Sequence, residues 1–473
     1  MIRVLSVASE CAPLVKTGGL ADVAGALPQA LGRQDVEMRT LLPGYPAVMK
    51  AVEAGREVYS WSELYGGPAR LIAAEAAGLS LFVLEAAHLF DRSGGIYLDG
   101  DGEDWSDNPE RFAALCRAGA EICCGSAGWQ PDVAHGHDWQ AGLLPYFLKK
   151  DGITLPSVMT IHNIAFAGMA EPSHIHRLGM DPADFQMDGY EFWGRVSLLK
   201  AGLYWCDRIT TVSPRYAREL TTPAFGMGFE GLISARRGDL TGILNGIDTD
   251  AWDPATDTAI QQFRSFRSKS GAVRALREEV GLPPSNGPLA VVVSRLSEQK
   301  GLDLLIEALP EYLEAGGQLA LLGAGNRSLE NAWREAAERH QGVSINIGYE
   351  EALSHRMMAG GDAVLVPSRF EPCGLTQLYG LRYGAIPVVA RVGGLADTVI
   401  DANDAALRTG VATGIVHSPD SVEALSLALI RMVELHASPD LWSRMGRTAM
   451  RHPVGWDVSA GEYADLYRDL VST

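Results

Sequence analysis

Short runs of aliphatic and β-branched residues recur along this chain, and each ends in a loop bearing glycine, histidine, asparagine or a charged residue. In the first half these are RVLSVAS (Arg3–Ser9), EMRTLLPGYP, LSLFVLEA, PDVAHGHDW, PSVMTIHN, DRITTVSP and LTGILNGID. Between them lie segments with apolar residues spaced three and four apart, such as LADVAGALPQALG (Leu20–Gly32). Strands that alternate with helices predict parallel βαβ units. The pattern then restarts. PLAVVVSR (Pro288–Arg295), QLALLGAG, VSINIGY, DAVLVPSRFE and AIPVVAR read as strands, and GLDLLIEALPEYLEAG as a helix ending at Gly316. A chain of 473 residues exceeds one ordinary core. Two doubly wound α/β domains are therefore expected, joined near LNGIDTDAWDP (Leu244–Pro254). The tail WDVSAGEYADLYRDLVS predicts an amphipathic helix with Tyr463, Leu466, Tyr467 and Leu470 on one stripe.

Composition narrows the function classes. No apolar run approaches the roughly 20 residues that span a bilayer. MIRVLSVASE has too short an apolar stretch for a signal peptide and reads as the first buried strand. Six cysteines, two of them adjacent at Cys123 and Cys124, suggest reduced thiols in a cytoplasmic protein rather than a disulfide framework. A net charge of -18 argues against a nucleic-acid partner. It leaves room for an anionic small molecule, which responds to a few local cations. Nothing in the sequence fixes an oligomeric state.

In open α/β sheets ligands bind beyond the carboxyl ends of the strands, and there the chemistry-bearing residues cluster. Gly-Gly-Leu-Ala-Asp occurs twice, in KTGGLADVAGAL (Lys16–Leu27) and RVGGLADTVID (Arg391–Asp401), each time between a strand and a helix. Glycines there let backbone N–H groups approach an anion, and Lys16 adds a mobile cation to the first copy. SRLSEQKG places Arg295 and Lys300 at the two ends of a loop after a buried strand, an arrangement suited to phosphate. PSRFEPCGLTQLYGL places Glu371 at a strand end, where a carboxylate can accept from sugar hydroxyls. The amides around Cys373–Thr376 should be free at the following helix start, and Cys373 there should be a reactive thiol. Asp138 and His162 are expected at neighbouring strand ends, and Tyr349 after VSINIG is placed to stack on a base. The competing reading is a metal hydrolase built on His135 and His137, with His162 and Asp207 drafted as further ligands, but no eightfold βα pattern supports it. In DGDGEDWSDNPE, Asp104 stands where a calcium loop needs glycine, and Asp99-Gly-Asp101 is a short match to a metal-binding Asp-x-Asp. An exposed acidic loop accounts for both.

KTGGLADVAGALP, HGHDWQAGL, TIHNIAFAG, LNGID, SRLSEQKGLDL and PSRFEPCGLTQLYGLRYGAIPVVARVGGLADTV together resemble bacterial glycogen synthases and the related starch synthases. The resemblance runs in order from the first strand to the last helix. It implies a GT-B fold: a first Rossmann-like domain over residues 1–245, a second over 246–456, a cleft between them, and a helix at 457–473 crossing back to the first. It implies transfer of glucose from ADP-glucose to the non-reducing 4-OH of an α-1,4-glucan, with retention and without metal or other cofactor. By the same resemblance Lys16, Gly18 and Gly19 bind the donor, Arg295 and Lys300 its phosphates, and Glu371 the glucose hydroxyls, with Cys373, Gly374, Leu375 and Thr376 in the adjoining loop. His162 and Asp138 would meet the sugar, Asn245 would lie near the active cleft, and Tyr349 would pack on adenine. Many retaining GT-B enzymes carry Glu-x7-Glu; here Tyr379 occupies the second place, as it does in glycogen synthases of this type.

Overall fold

β1 (Ile2–Val7) is buried from Val4 onward, as its unalternated apolar sequence requires. The helix Gly19–Gly32 returns the chain to β2 (Val36–Pro43), which pairs parallel to β1 with Val4 opposite Met38. β3 (Arg56–Trp61), β4 (Ala69–Ala76) and β5 (Leu79–Glu85) extend this side of the sheet. β6 (Val133–His137) then pairs with the other flank of β1, followed outward by β7 (Ser157–Ile161), β11 (Arg208–Thr211) and β12 (Leu240–Gly242). The order of this nine-stranded sheet is β12-β11-β7-β6-β1-β2-β5-β4-β3. A small antiparallel sheet of β8 (Met169–Ala170), β9 (Glu191–Phe192) and β10 (Arg195–Ser197) interrupts the alternation. β4 runs antiparallel to both β3 and β5. This hairpin edge is absent from the reading of the sequence because REVYSW is polar and half-exposed, unlike the buried strands.

The second sheet holds β13 (Leu289–Val293), β14 (Gln318–Gly323), β15 (Val343–Ile347), β16 (Ala363–Val366), β17 (Ile386–Ala390) and β18 (Ile415–His417). It is parallel throughout, in the order β15-β14-β13-β16-β17-β18. β18 is only three residues long, too short to stand out as an apolar run. In each sheet two neighbouring strands send the chain off in opposite directions, β1 and β6 in the first and β13 and β16 in the second. At such a switch point the two loops part and open a crevice.

The computed structural model describes residues 1–472, and these form two compact units. Met1–Asn245 and the segment from Trp456 onward make the first; Gly246–Gly455 make the second. Among the described residues no helix is long and apolar enough to cross a membrane.

The last helix, Asp457–Ser472, lies on the first unit. Tyr463, Tyr467 and Leu470 are buried with Val23, Leu27 and Leu31 of the helix Gly19–Gly32, and Leu466 packs at the margin. Tyr467 also reaches β6, where its hydroxyl lies 2.7 Å from His135 Nδ1. Both groups are wholly buried, so the bond has no water to replace it. Tyr467→Phe keeps the ring and strands the imidazole nitrogen. It should destabilise the first unit by about 1–3 kcal/mol, read as a lowered thermal midpoint; an unchanged midpoint would show that the bond contributes nothing.

Candidate active site

In the second unit the loops after β13 and β16 meet at the switch point. Gly301 closes the first of them with φ +66, and a Cβ there would stand 2.1 Å from the Pro367 carbonyl oxygen. Glycine alone permits this approach. It brings Lys300 to Glu371: Nζ donates to Oε2 at 2.6 Å, and Ser368 Oγ donates to the same oxygen at 2.9 Å. Glu371 is only 8% exposed, and the paired cation and hydroxyl offset the cost of burying its charge. The open cavity beside them is lined by Ser294, Lys300, Ser368, Glu371, Gly374 and Thr376.

The helix Thr376–Tyr383 begins at this cavity without a side-chain cap. The amides of Gly374, Leu375 and Thr376 have no protein partner among the described residues. They therefore present donors, with the positive end of the helix dipole, to whatever enters. The other end of the helix is anchored by Lys269, which is buried and donates from Nζ to the Tyr383 carbonyl at 3.0 Å and the Met358 carbonyl at 2.9 Å. A cation thus sits on the C-termini of two helices, although burial pushes its ammonium down to about 7. Arg295 is exposed on the first loop, and Tyr349 is 74% exposed beyond the edge strand β15.

The first unit repeats the plan with different chemistry. Asp138 follows β6 with φ +54 and ψ −170, a backbone region that costs a residue other than glycine roughly 1–3 kcal/mol. The distortion turns its carboxylate onto the end of β7: Oδ1 accepts from the amides of His162 at 2.6 Å and Asn163 at 3.3 Å. Burial pushes this carboxyl up to about 7 in spite of those two donors. His137 lies beneath, its Nδ1 3.0 Å from His162 Nε2 and its Nε2 3.1 Å from Ser6 Oγ. Burial holds His137 down to about 3, and His135 and His162 well below the ordinary imidazole value, so all three rings are neutral. Asn245 ends this unit buried, with its Oδ1 unpartnered.

The two Gly-Gly-Leu-Ala-Asp copies do different work. In the first, Lys16 Nζ donates to Asp22 Oδ1 at 2.7 Å, and Gly18 caps the helix Gly19–Gly32. The expectation that this turn's amides face a ligand needs correction for Thr17 and Gly18. Both donate to Glu10 Oε2, at 2.5 and 3.2 Å. Glu10 is buried at the end of β1 and also receives Thr17 Oγ1 and Tyr97 Oη, so it fixes the loop from behind. Burial nevertheless raises its carboxyl. In the second copy Gly393 has φ +40, and a Cβ there would lie 1.9 Å from the Glu371 carbonyl oxygen. The Gly394 amide donates to the Pro372 carbonyl at 3.0 Å. The second doublet is thus a backing plate for the Glu371 loop. Gln377, wholly buried, completes the clamp by donating from Nε2 to the Cys373 and Gly374 carbonyls and to Thr398 Oγ1.

One other expectation changes, and two motifs set aside in the sequence acquire a structural account. Cys373 is 5% exposed, so the open thiol expected there is closed; Cys124 is the exposed cysteine. The metal reading of His135 and His137 fails on hydrogen bonding, because all four ring nitrogens are engaged: His135 with Tyr467 and Thr160, His137 with Ser6 and His162. In the acidic loop, Asp99 Oδ1 accepts the Asp101 and Glu103 amides, which makes it a turn-former. Glu10, Ser368 and Gln377 were missed from sequence. Glu10 alone carried a usable signal, a carboxylate directly after a buried strand.

Gly393→Ala should displace the Glu371 loop and lower activity on the order of 100-fold in a folded protein, measured as turnover beside circular dichroism; retained turnover would show that the loop does not need this packing. Asp138 also makes a pH-dependent contribution to folding. Its carboxyl stands higher in the folded than in the unfolded chain. That contribution is complete below about pH 4 and is lost as pH rises through about 7. Asp138→Asn should therefore match or exceed the parent in thermal midpoint at pH 8, by roughly 1 kcal/mol, with the difference closing toward pH 4. A variant clearly less stable at pH 8 would show that the ionised carboxylate is held favourably.

Residues 3–235 match the family model for the starch synthase catalytic domain, and residues 274–449 that for glycosyl transferases group 1. A glycogen synthase from Paracoccus denitrificans is 56% identical over 474 residues, covering 100% of both chains. One from Roseobacter denitrificans is 54% identical, covering 99% of this chain and 100% of the relative. The catalytic domain of starch synthase IV from Arabidopsis thaliana, solved with ADP and acarbose bound, superposes with a TM-score of 0.89 at 31% identity, covering 100% of both chains. Sucrose-phosphate synthase from Thermosynechococcus elongatus shares the fold, with a TM-score of 0.62 at 17% identity over 100% of both chains. With more than half its residues identical to such relatives from end to end, and with their two-domain α/β glycosyltransferase fold, the chain belongs to the glycogen synthase family.

Proposed function

We propose that the protein transfers glucose from ADP-glucose to the non-reducing 4-OH end of an α-1,4-glucan, with retention at the anomeric carbon, in the cytoplasm. The observation that carries this reading is the Lys300–Glu371 pair at the second switch point, beside three amides without protein partners. An ammonium has three donors. Lys300 can keep one on Glu371 Oε2 and turn the others to a diphosphate. Glu371 Oε1 has no hydrogen-bond partner among the described residues and can accept from glucose hydroxyls. Arg295, exposed on the same loop, supplies a planar fork for phosphate oxygens, and Tyr349 a ring for the adenine. Adenine is favoured over uracil by family membership and by the ADP bound in the starch synthase, not by any contact in this chain.

The chemical difficulty is the leaving diphosphate. Lys300, Arg295 and the helix start at Thr376 would stabilise the charge that grows there, without a metal ion. Lys16, Gly19, Asp138, His162 and Asn245 of the first unit are assigned to the donor and its sugar, while Gly18, whose amide Glu10 has claimed, shapes the turn. Asp138 and His162 are built for polar recognition: one carboxyl near neutrality and one neutral imidazole, both preorganised on strand ends. No side chain stands out as a nucleophile. The reading therefore favours a front-face reaction in which the departing phosphate helps to deprotonate the acceptor hydroxyl.

The test is release of ADP from ADP-glucose in the presence of glycogen, run beside UDP-glucose and in excess EDTA. EDTA should leave turnover nearly unchanged, while Arg295→Ala and Lys300→Ala each cost on the order of 100-fold or more. Loss in EDTA, restored by magnesium, would overturn the fixed-charge mechanism. Folded protein that releases no ADP would overturn the reading itself.

A further inference from the structure

Three buried groups run in a line from β1 to the end of β7: Ser6, His137 and His162. Ser6 Oγ lies 3.1 Å from His137 Nε2, and His137 Nδ1 lies 3.0 Å from His162 Nε2. Ser6 and His137 are each 1% exposed, and His162 is 9% exposed. Each neutral imidazole carries one proton, and its position is set by the bonds the ring makes. Two arrangements satisfy the ring contacts. In one, the Ser6 hydroxyl donates to His137 Nε2, His137 Nδ1–H donates to His162 Nε2, and the remaining His162 proton sits on Nδ1. In the other the direction reverses: His162 Nε2–H donates to His137 Nδ1, His137 Nε2–H donates to Ser6 Oγ, and His162 Nδ1 offers a lone pair.

The hydroxyl proton decides between them. Among the described residues Ser6 Oγ makes no hydrogen bond besides that to His137. In the reversed arrangement the Ser6 proton is buried with no acceptor, a cost the forward arrangement avoids. His162 Nδ1 has no partner among the described residues, so it is the nitrogen left for a ligand. The His162 amide is held separately on Asp138 Oδ1, which fixes the ring's origin as the relay fixes its proton.

We propose that Ser6 and His137 are positioning residues that lock His162 as the Nδ1–H tautomer, so that it meets the sugar as a hydrogen-bond donor and not as a base. The consequence for the reaction is specific. The nitrogen that faces the substrate already carries its proton, so His162 cannot remove one from the acceptor hydroxyl. Nothing is transferred through the line: it is a static hydrogen-bond chain of fixed direction, with no net charge. The role of His162 toward a sugar rests on the transfer reaction proposed above. The tautomer itself does not, and it is measurable without substrate.

The full-length protein labelled with 15N-histidine gives the first readout. Long-range 1H–15N correlation should show Nδ1–H for both His137 and His162, the His162 signals being assigned by their loss in His162→Gln. An Nε2–H tautomer at His162 would overturn the proposal. The second readout is kinetic. His137→Leu should lower kcat/KM on the order of 10-fold, and His137→Asn, whose amide nitrogen can stand where Nδ1 stood, should recover most of it. Ser6→Ala should cost several-fold and leave His162 in mixed tautomers. Equal loss in the Leu and Asn variants, or Ser6→Ala with an unmixed Nδ1–H spectrum, would count against the relay. A set of ADP-glucose analogues, each lacking one sugar hydroxyl, ties the relay to the substrate: the His137→Leu penalty should vanish for one analogue only. A penalty of equal size for every analogue would mean general loosening of the site. Failure to turn over ADP-glucose at all would sink the reaction and leave the tautomer to stand or fall by the spectrum.

Discussion

A parallel strand covered on both faces can hold a polar side chain only where a neighbour hydrogen-bonds it, and can offer one to a ligand only past its last residue. That constraint arranges everything else here. β1, β6 and β7 in the first unit, and β13 and β16 in the second, are buried through most of their length. The polar groups inside them, such as Ser6, His135 and Thr160, are spent on one another, so their first chance to face a ligand is the loop at the carboxyl end. Glu10, Asp138, His162, Lys300 and Glu371 all stand just there. Because strand order reverses between β1 and β6 and between β13 and β16, the loops that carry these groups part at two crevices, one in each unit.

The repeated pentapeptide shows how one local solution serves two ends. Glycine lets a helix start close to neighbouring backbone, and the second copy uses that freedom, whereas a Cβ at Gly18 or Gly19 of the first would meet no backbone. What lies nearby differs. Behind the first copy is a buried carboxylate, Glu10, which takes the amides of Thr17 and Gly18. Behind the second is the Glu371–Cys373 backbone, at distances no Cβ could share. A motif read alone reports the turn and the helix start. It does not report which partner has claimed the amides, since that partner comes from a different part of the chain.

The same distinction separates what could be read in the sequence from what could not. The buried strands were legible because unalternated apolar runs have few other fates. The candidate residues were legible because they sit at strand ends in unusual local company: Lys16 before two glycines, Glu371 before Pro-Cys-Gly. The β3–β4 hairpin was not, because an edge strand is half polar and lacks that signature. Nor were the pairings. Lys300 and Glu371 were each assigned a ligand from sequence, yet here they bond to each other across 71 residues of chain. The buried serine, glutamine and lysine that fix the site from behind looked ordinary. Ser6 is a small polar residue in a largely apolar strand, Gln377 is one of several polar residues on a short helix, and Lys269 lies in the polar run FRSKS. Burial made them important, and burial is a property of the assembled sheet.

The two crevices differ most in how they carry charge. The second keeps charge formally present, with an ammonium and a carboxylate 2.6 Å apart, each stabilising the other. The first disfavours charge in its buried groups, while the Lys16–Asp22 ion pair stays at the more exposed turn. Three imidazoles are neutral, and two carboxyls, Glu10 and Asp138, are pushed up by burial. A diphosphate needs full positive charge close at hand, which a chain of net charge -18 can supply only locally. A sugar is uncharged, and donors and acceptors fixed in direction recognise it better than mobile ions do. A neutral imidazole whose proton is set by its neighbours is such a donor, and in the reaction proposed it would meet the sugar without the desolvation cost of a buried ion. The strained backbone at Asp138 fits the same scheme. Local stability is given up so that a carboxyl can grip the strand end from which His162 projects. Charge handling is thus divided between a crevice that can neutralise a leaving group and one that can hold a sugar in register.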